Sequence, residues 1–193
     1  MDSKPSTEPR RPPFPVKIVI AGGFGVGKTT AVSAISEIRP LTTEAAITSV
    51  AAEIDRTGEV PAKTSTTVAL DFGCITIDHD LKLYLFGTPG QDRFGFMWHD
   101  VSHGALGALV VVDARRIDDC YPAVDYFEKT GLPFVVAVNL FHGTLTHDLA
   151  YLRWALAIDA GIPLVTFDAR DRLSVRDALL SVLRHTLARA GGG

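Results

Sequence analysis

Residues Gly22-Gly23-Phe24-Gly25-Val26-Gly27-Lys28-Thr29 fit the pattern G-x-x-x-x-G-K-[ST] and follow directly on the β-branched run Val16-Lys17-Ile18-Val19-Ile20-Ala21. A strand that hands over to a helix through such a loop makes an anion site. Glycines leave backbone N–H groups free to point at phosphate oxygens, the lysine reaches the outer phosphates, and the hydroxyl coordinates Mg²⁺. Lys28 and Thr29 take those last two roles, with Gly22, Gly25, Val26, Gly27 and Thr30 completing the cradle. A glycine-rich turn without a ligand is the plainer reading, but the Lys-Thr pair and the helical opening Thr30-Ala31-Val32 argue against it. The expected ligand is a nucleotide.

Beyond the loop, residues 28–38 are helical in pattern and stop before Pro40; 68–77 and 81–86 read as two strands of a hairpin around Asp78-His79-Asp80. Residues 106–113 and 134–139 are continuous apolar runs, as strands are when both sheet faces are covered, and 164–167 is a shorter one. Helical patterns at 117–130, 147–160 and 174–189 separate them, with Gly131 and Gly161 placed as C-terminal stops. The order predicts an α/β architecture: a mostly parallel six-stranded sheet with one antiparallel edge strand and helices on both faces.

The 193 residues suffice for one well-packed core, and 47% hydrophobic with 21% charged is ordinary for a globular domain. Net charge is −3 with both signs mixed along the chain, so nothing marks a nucleic-acid partner. Cys74 and Cys120 lack ligand spacing and read as reduced thiols of a cytoplasmic protein. No run is long enough to span a bilayer, and neither a prenylation cysteine nor a glycine after Met1 offers a lipid anchor, so membrane association is expected only through partners. Residues 1–15, rich in proline, are expected to be a disordered leader, 16–190 the domain and 191–193 a glycine tail.

Two further segments narrow the function. Thr64-Ser65-Thr66-Thr67-Val68-Ala69-Leu70-Asp71-Phe72 places hydroxyls just ahead of the second expected strand, and Phe86-Gly87-Thr88-Pro89-Gly90-Gln91-Asp92-Arg93-Phe94 follows the third. Together they resemble the two switch regions of Ras-like small GTPases, a P-loop NTPase fold with a three-layer sandwich. Pro89-Gly90-Gln91 is similar to the bacterial polarity GTPases of the MglA type. The joint pattern looks like the GTPase-like proteins of actinobacterial conservon operons. The resemblance implies that Thr67 closes onto Mg²⁺ and the γ-phosphate, that Gly90 senses that phosphate and that Gln91 positions the attacking water. It further implies GTP and GDP as ligands, Mg²⁺ as cofactor held by Thr29 and Thr67, and as partners a roadblock-type regulatory protein and a sensor-kinase-like protein. Phe94, Phe96, Met97 and Trp98 lie where the second switch would run; core packing is their plain reading and a partner-binding face the alternative. His99 and His103 read as helix-surface or packing residues.

The sequence departs from that pattern in three places. Gly87 stands where most Ras-like proteins carry the aspartate that holds Mg²⁺ through water, and Asp113, the other strand-end acid, reads as a strand terminus. Asn139-Leu140-Phe141-His142 stands for the usual N-K-x-D: the asparagine is kept, but the aspartate that accepts from guanine is absent. Asp168-Ala169-Arg170 occupies the place of a second base-contacting loop, with the Ala169 N–H and Arg170 as contacts. Finally, Thr29 to Thr67 is roughly twice the usual interval; residues 42–54 of the added stretch are helical in propensity, and Arg56 or Arg93 are candidates for an internal arginine finger. The expected function is a slow, partner-stimulated GTPase switch with Lys28, Thr67 and Gln91 in the chemistry. A P-loop ATPase or small kinase with relaxed base choice, and a nucleotide-holding scaffold without turnover, stay open.

Overall fold

The computed structural model describes residues 12–47, 66–78, 80–90, 95 and 97–191, with the backbone alone at 41–47, 66–69, 78 and 142. The strands are β1 (Phe14–Ala21), β2 (Leu41–Ile47), β3 (Thr66–Asp78), β4 (Leu81–Gly87), β5 (Gly107–Val112), β6 (Phe134–Asn139) and β7 (Leu164–Phe167). The helices are α1 (Lys28–Ile35), α2 (Met97–Ser102), α3 (Tyr121–Thr130), α4 (Leu149–Ala155) and α5 (Arg172–Gly191). One sheet holds all seven strands in the order β2-β3-β4-β1-β5-β6-β7. β4, β1, β5, β6 and β7 are mutually parallel, and β3 runs antiparallel to both β4 and β2. The α/β P-loop architecture and the six expected strands are therefore present, and β3 is the antiparallel one among them.

The seventh strand is a correction. Leu41–Ile47 pairs with Thr66–Phe72 of β3, whereas the helical propensity of 42–54 suggested a helix there. Pairing with an exposed sheet edge outweighs an intrinsic preference worth only tenths of a kcal/mol per residue. The rest of that inserted stretch, with Arg56, lies outside the described residues. β1 begins at Phe14, whose N–H donates to Asp80 O at 2.7 Å, two residues inside the expected leader. Residues 1–11, Gly192 and Gly193 lie outside the described residues.

Alternation along the central strands produces the three layers. Ile18 and Ile20 of β1, Leu109 and Val111 of β5, and Val135 and Ala137 of β6 point to one face, against Val32 and Ile35 of α1 and Val175, Leu179 and Val182 of α5. Val19, Val110 and Val136 point to the other, against Trp98 of α2 and Val124 and Phe127 of α3. Trp98 stacks on Phe127 at 6.5 Å between centroids and meets Tyr126 edge-on at 5.4 Å, which anchors α2 to α3. The second tryptophan, Trp154 of α4, is 75% exposed beside Tyr151. No helix among the described residues is long and apolar enough to cross a membrane.

Leu85 is fully buried in the layer under α1 and α5. Leu85→Ala should cost about 2–5 kcal/mol through lost transfer energy and the cavity left behind, read as a lower urea midpoint at unchanged slope.

Candidate functional site

The loops that leave the carboxyl ends of β1, β4, β5, β6 and β7 converge on one edge of the sheet, where open α/β folds bind ligands. Gly22, Gly25 and Gly27 adopt φ of 133°, 73° and 110°, and a Cβ on Gly22 would stand 2.2 Å from Val111 O, so the loop's path demands glycine there. Lys28 is 7% exposed, and its ammonium donates to Gly22 O at 2.7 Å and Gly23 O at 2.5 Å. Burial pulls its pKa down to about 8, against the opposing pull of the Asp71 carboxylate. Gly90 presses on the same spot: a Cβ there would lie 2.6 Å from Lys28 Nζ and 2.7 Å from Gly23 O. The glycine of the second segment thus meets the lysine of the first.

Thr29 Oγ1 donates to Asp71 Oδ2 at 2.5 Å, joining the start of α1 to β3. Asp71 is 9% exposed and sits directly across from Gly87 in the β3–β4 register. Sequence reasoning quoted Asp71 only as part of the first switch segment. The signal that could have found it was a carboxylate inside the apolar Val68–Phe72 stretch. Thr67 lies opposite Ala46, four residues and about 13 Å along β3 from Asp71. Ladder pairing with β2 holds it in the sheet, so Thr29 and Thr67, expected to share one metal, are not brought together in this conformation. Gln91 and Arg93 lie outside the described residues, as do Phe94 and Phe96. Thr30 is exposed in the first turn of α1.

Asn139, 7% exposed at the end of β6, ties two loops together: its Nδ2 donates to Val26 O at 2.9 Å and its Oδ1 accepts from Ala169 N at 3.1 Å. The Ala169 amide expected at the base edge is thus engaged by Asn139. The Arg170 guanidinium folds back on Asp168, donating at 3.0 and 2.8 Å. Asp113, 1% exposed, accepts from the Arg115 amide and guanidinium, which hold its carboxyl below the usual range. It stands at the strand end, as read from sequence, and there forms a clamp with Arg115. That clamp lays Arg115 over the Phe141 ring at 4.2 Å. Beside it, Arg116 reaches the tip of the phosphate loop, donating to Phe24 O at 2.9 Å.

Residues 20–188 match the family model described as "Conserved hypothetical ATP binding protein". An uncharacterized protein of Methanocaldococcus jannaschii is 34% identical over 126 residues, 64% of this chain and 69% of that one. The Ras-related protein RABD2a of Arabidopsis thaliana is 24% identical over 127 residues, 61% of this chain and 63% of that one. Among solved structures, the G domain of the T. maritima FeoB iron transporter superposes with TM-score 0.62 at 16% identity, over 89% of this chain and 99% of that one. The FeoB G domain of Methanococcus jannaschii superposes with TM-score 0.59 at 13% identity, over 89% and 98%. The fold is that of the P-loop GTPases.

Two outcomes follow from the buried groups. Below pH about 8 the Lys28 charge is carried at a cost to the ligand-free fold, and that cost fades as the pH rises toward 10.5 and the unfolded chain loses the same proton. Wild type should therefore gain roughly 3 kcal/mol relative to Lys28→Met across that window, measured by urea unfolding. Asn139→Ala orphans the Val26 carbonyl and the Ala169 amide and should cost about 1–3 kcal/mol for each, read as a lower thermal midpoint.

Proposed function

The chain belongs to the family of conserved hypothetical ATP-binding proteins, and from that footing we propose that it is a guanine-nucleotide switch that binds GTP and GDP with Mg²⁺ and hydrolyses GTP slowly. The observation that carries the reading is the meeting of Gly90 with the Lys28 ammonium over the Gly23 carbonyl. It joins the phosphate-binding segment to the segment that resembles a γ-phosphate sensor. The G-domain fold of the FeoB structures and the RABD2a similarity support it.

Lys28 stabilises negative charge on the outer phosphates, and the loop amides from Gly25 to Thr29 orient them. An anion against the Lys28 ammonium restores the stabilisation that burial removed, so its pKa rises on binding. Thr29 and Asp71 offer hard oxygen donors of the kind Mg²⁺ takes, which supplies charge neutralisation at the β- and γ-phosphates when bound. Gln91 orients the attacking water, and Thr67 closes on the γ-phosphate by leaving its place in β3. The resemblance to MglA-type and conservon GTPase-like proteins supports a role in bacterial signalling, with a roadblock-type regulator and a sensor-kinase-like protein as partners and a cytoplasmic site of action.

A second reading, an ATP-binding NTPase, has a specific observation behind it. His142 stands where a guanine-reading carboxylate is expected, and the nearest acid of the other base loop, Asp168, is taken up by Arg170. Calorimetric titration of nucleotide-free protein in Mg²⁺ separates the two. GDP should bind at least roughly a hundredfold tighter than ADP, about 2.7 kcal/mol; tighter ADP would establish the ATP-binding reading, equal affinities a general NTPase of relaxed base choice, and no heat with either would leave a scaffold. Lys28→Ala should abolish binding, while Gln91→Ala should keep GDP affinity and slow phosphate release. Near pH 8 binding should take up protons, seen as an enthalpy that varies with the ionisation heat of the buffer.

A further inference from the structure

A carboxylate that is 9% exposed on a strand needs a partner of opposite charge or a strong donor set. Asp71 accepts from the Thr29 hydroxyl at 2.5 Å and lies near enough to Lys28 to oppose the fall of its pKa. Among the described residues no lysine or arginine forms an ion pair with it. Because Thr29 gives its proton to Asp71, both lone pairs of its hydroxyl oxygen are left for a cation. The pair is therefore a hydroxyl turned into an acceptor beside a buried negative charge, at the first turn of the helix that follows the phosphate loop.

The register explains why the usual strand-end aspartate is missing. Gly87 ends β4 directly across from Asp71, and a Cβ on Gly87 would lie 3.0 Å from Asp71 Cβ and 3.1 Å from Asp71 Oδ2. The space that a side chain at 87 would occupy is already filled by the Asp71 carboxylate. We infer that Asp71 and Gly87 have exchanged roles across one cross-strand pair: Asp71, from the antiparallel strand, supplies the acid of the magnesium site, and Gly87 is bare to admit it. Asp71 acts as a positioning residue, fixing the Thr29 hydroxyl and offering a charged acceptor for water on the cation. The inference rests on the reading of the loop as a Mg²⁺-dependent nucleotide site, and assigns that site its missing carboxylate.

The test follows release of a fluorescent GDP analogue from the full chain as Mg²⁺ is titrated, with a chelator arm holding the metal near zero. Wild type should hold GDP more tightly as Mg²⁺ rises. Asp71→Asn, which keeps shape and an acceptor for Thr29, should raise the Mg²⁺ concentration at half effect about 10–100-fold, a shift larger than any change in its release rate in chelator. Gly87→Asp alone crowds two carboxylates and should lose the Mg²⁺ response, whereas the double variant Asp71→Gly/Gly87→Asp should move the midpoint back toward wild type. The double variant also keeps the test decisive if Asp71→Asn fails to fold. An unshifted midpoint in Asp71→Asn, equal loss of GDP with and without metal, or a double variant no better than Gly87→Asp would overturn the exchange. Wild type that holds no GDP at any Mg²⁺ concentration would instead overturn the nucleotide-site reading, and the exchange with it.

Discussion

A lysine ammonium withdrawn from water must be surrounded by oxygen, and that requirement shapes the whole carboxyl edge of the sheet. The Gly22 and Gly23 carbonyls turn inward to meet Lys28, and the Asp71 carboxylate balances part of its charge. Gly90 has no room for a side chain because the ammonium already occupies that volume. The glycines of two separate segments are thus consequences of one buried cation. Neither segment makes physical sense in isolation, since a chain that carries such a charge at a cost keeps it for a ligand that returns the energy.

The loops are held in place from below by neutral groups. Asn139 satisfies one carbonyl and one amide from two different loops, and Asp113 holds both Arg115 and Arg116 by ion pairs. Asn139 ends β6 and Asp113 directly follows β5, two strands whose side chains are buried on both faces, so the geometry of the loops inherits the rigidity of the central sheet. Both ends of the Asn139 amide are taken up by these loops, which makes it a residue of loop architecture.

Much of this was legible in the chain because strong signals were local. The phosphate loop follows a β-branched run, and β5 and β6 are unbroken apolar stretches; each announces itself within eight residues. β2 was not legible, since Leu41–Ile47 contains Glu and Ala in a helix-friendly pattern and becomes a strand only because β3 presents an edge to it. Asp71 was missed for a related reason. Its partner Thr29 is 42 residues away and its opposite number Gly87 is known only from register, so no spacing in the sequence links the three. Gly87 read alone as a lost ligand; read across the ladder it is half of a pair.

The two tryptophans divide the molecule optically. Trp154 stands in solvent on α4, whereas Trp98 is 5% exposed, has no hydrogen-bond partner for its indole N–H among the described residues, and lies eight positions after Gly90 in the helix that follows the second segment. A soluble quencher such as iodide silences the first and spares the second. The emission that survives quenching belongs to the Trp98–Tyr126–Phe127 stack, so the protein carries its own label-free gauge of whether α2 stays docked when the phosphate loop is filled.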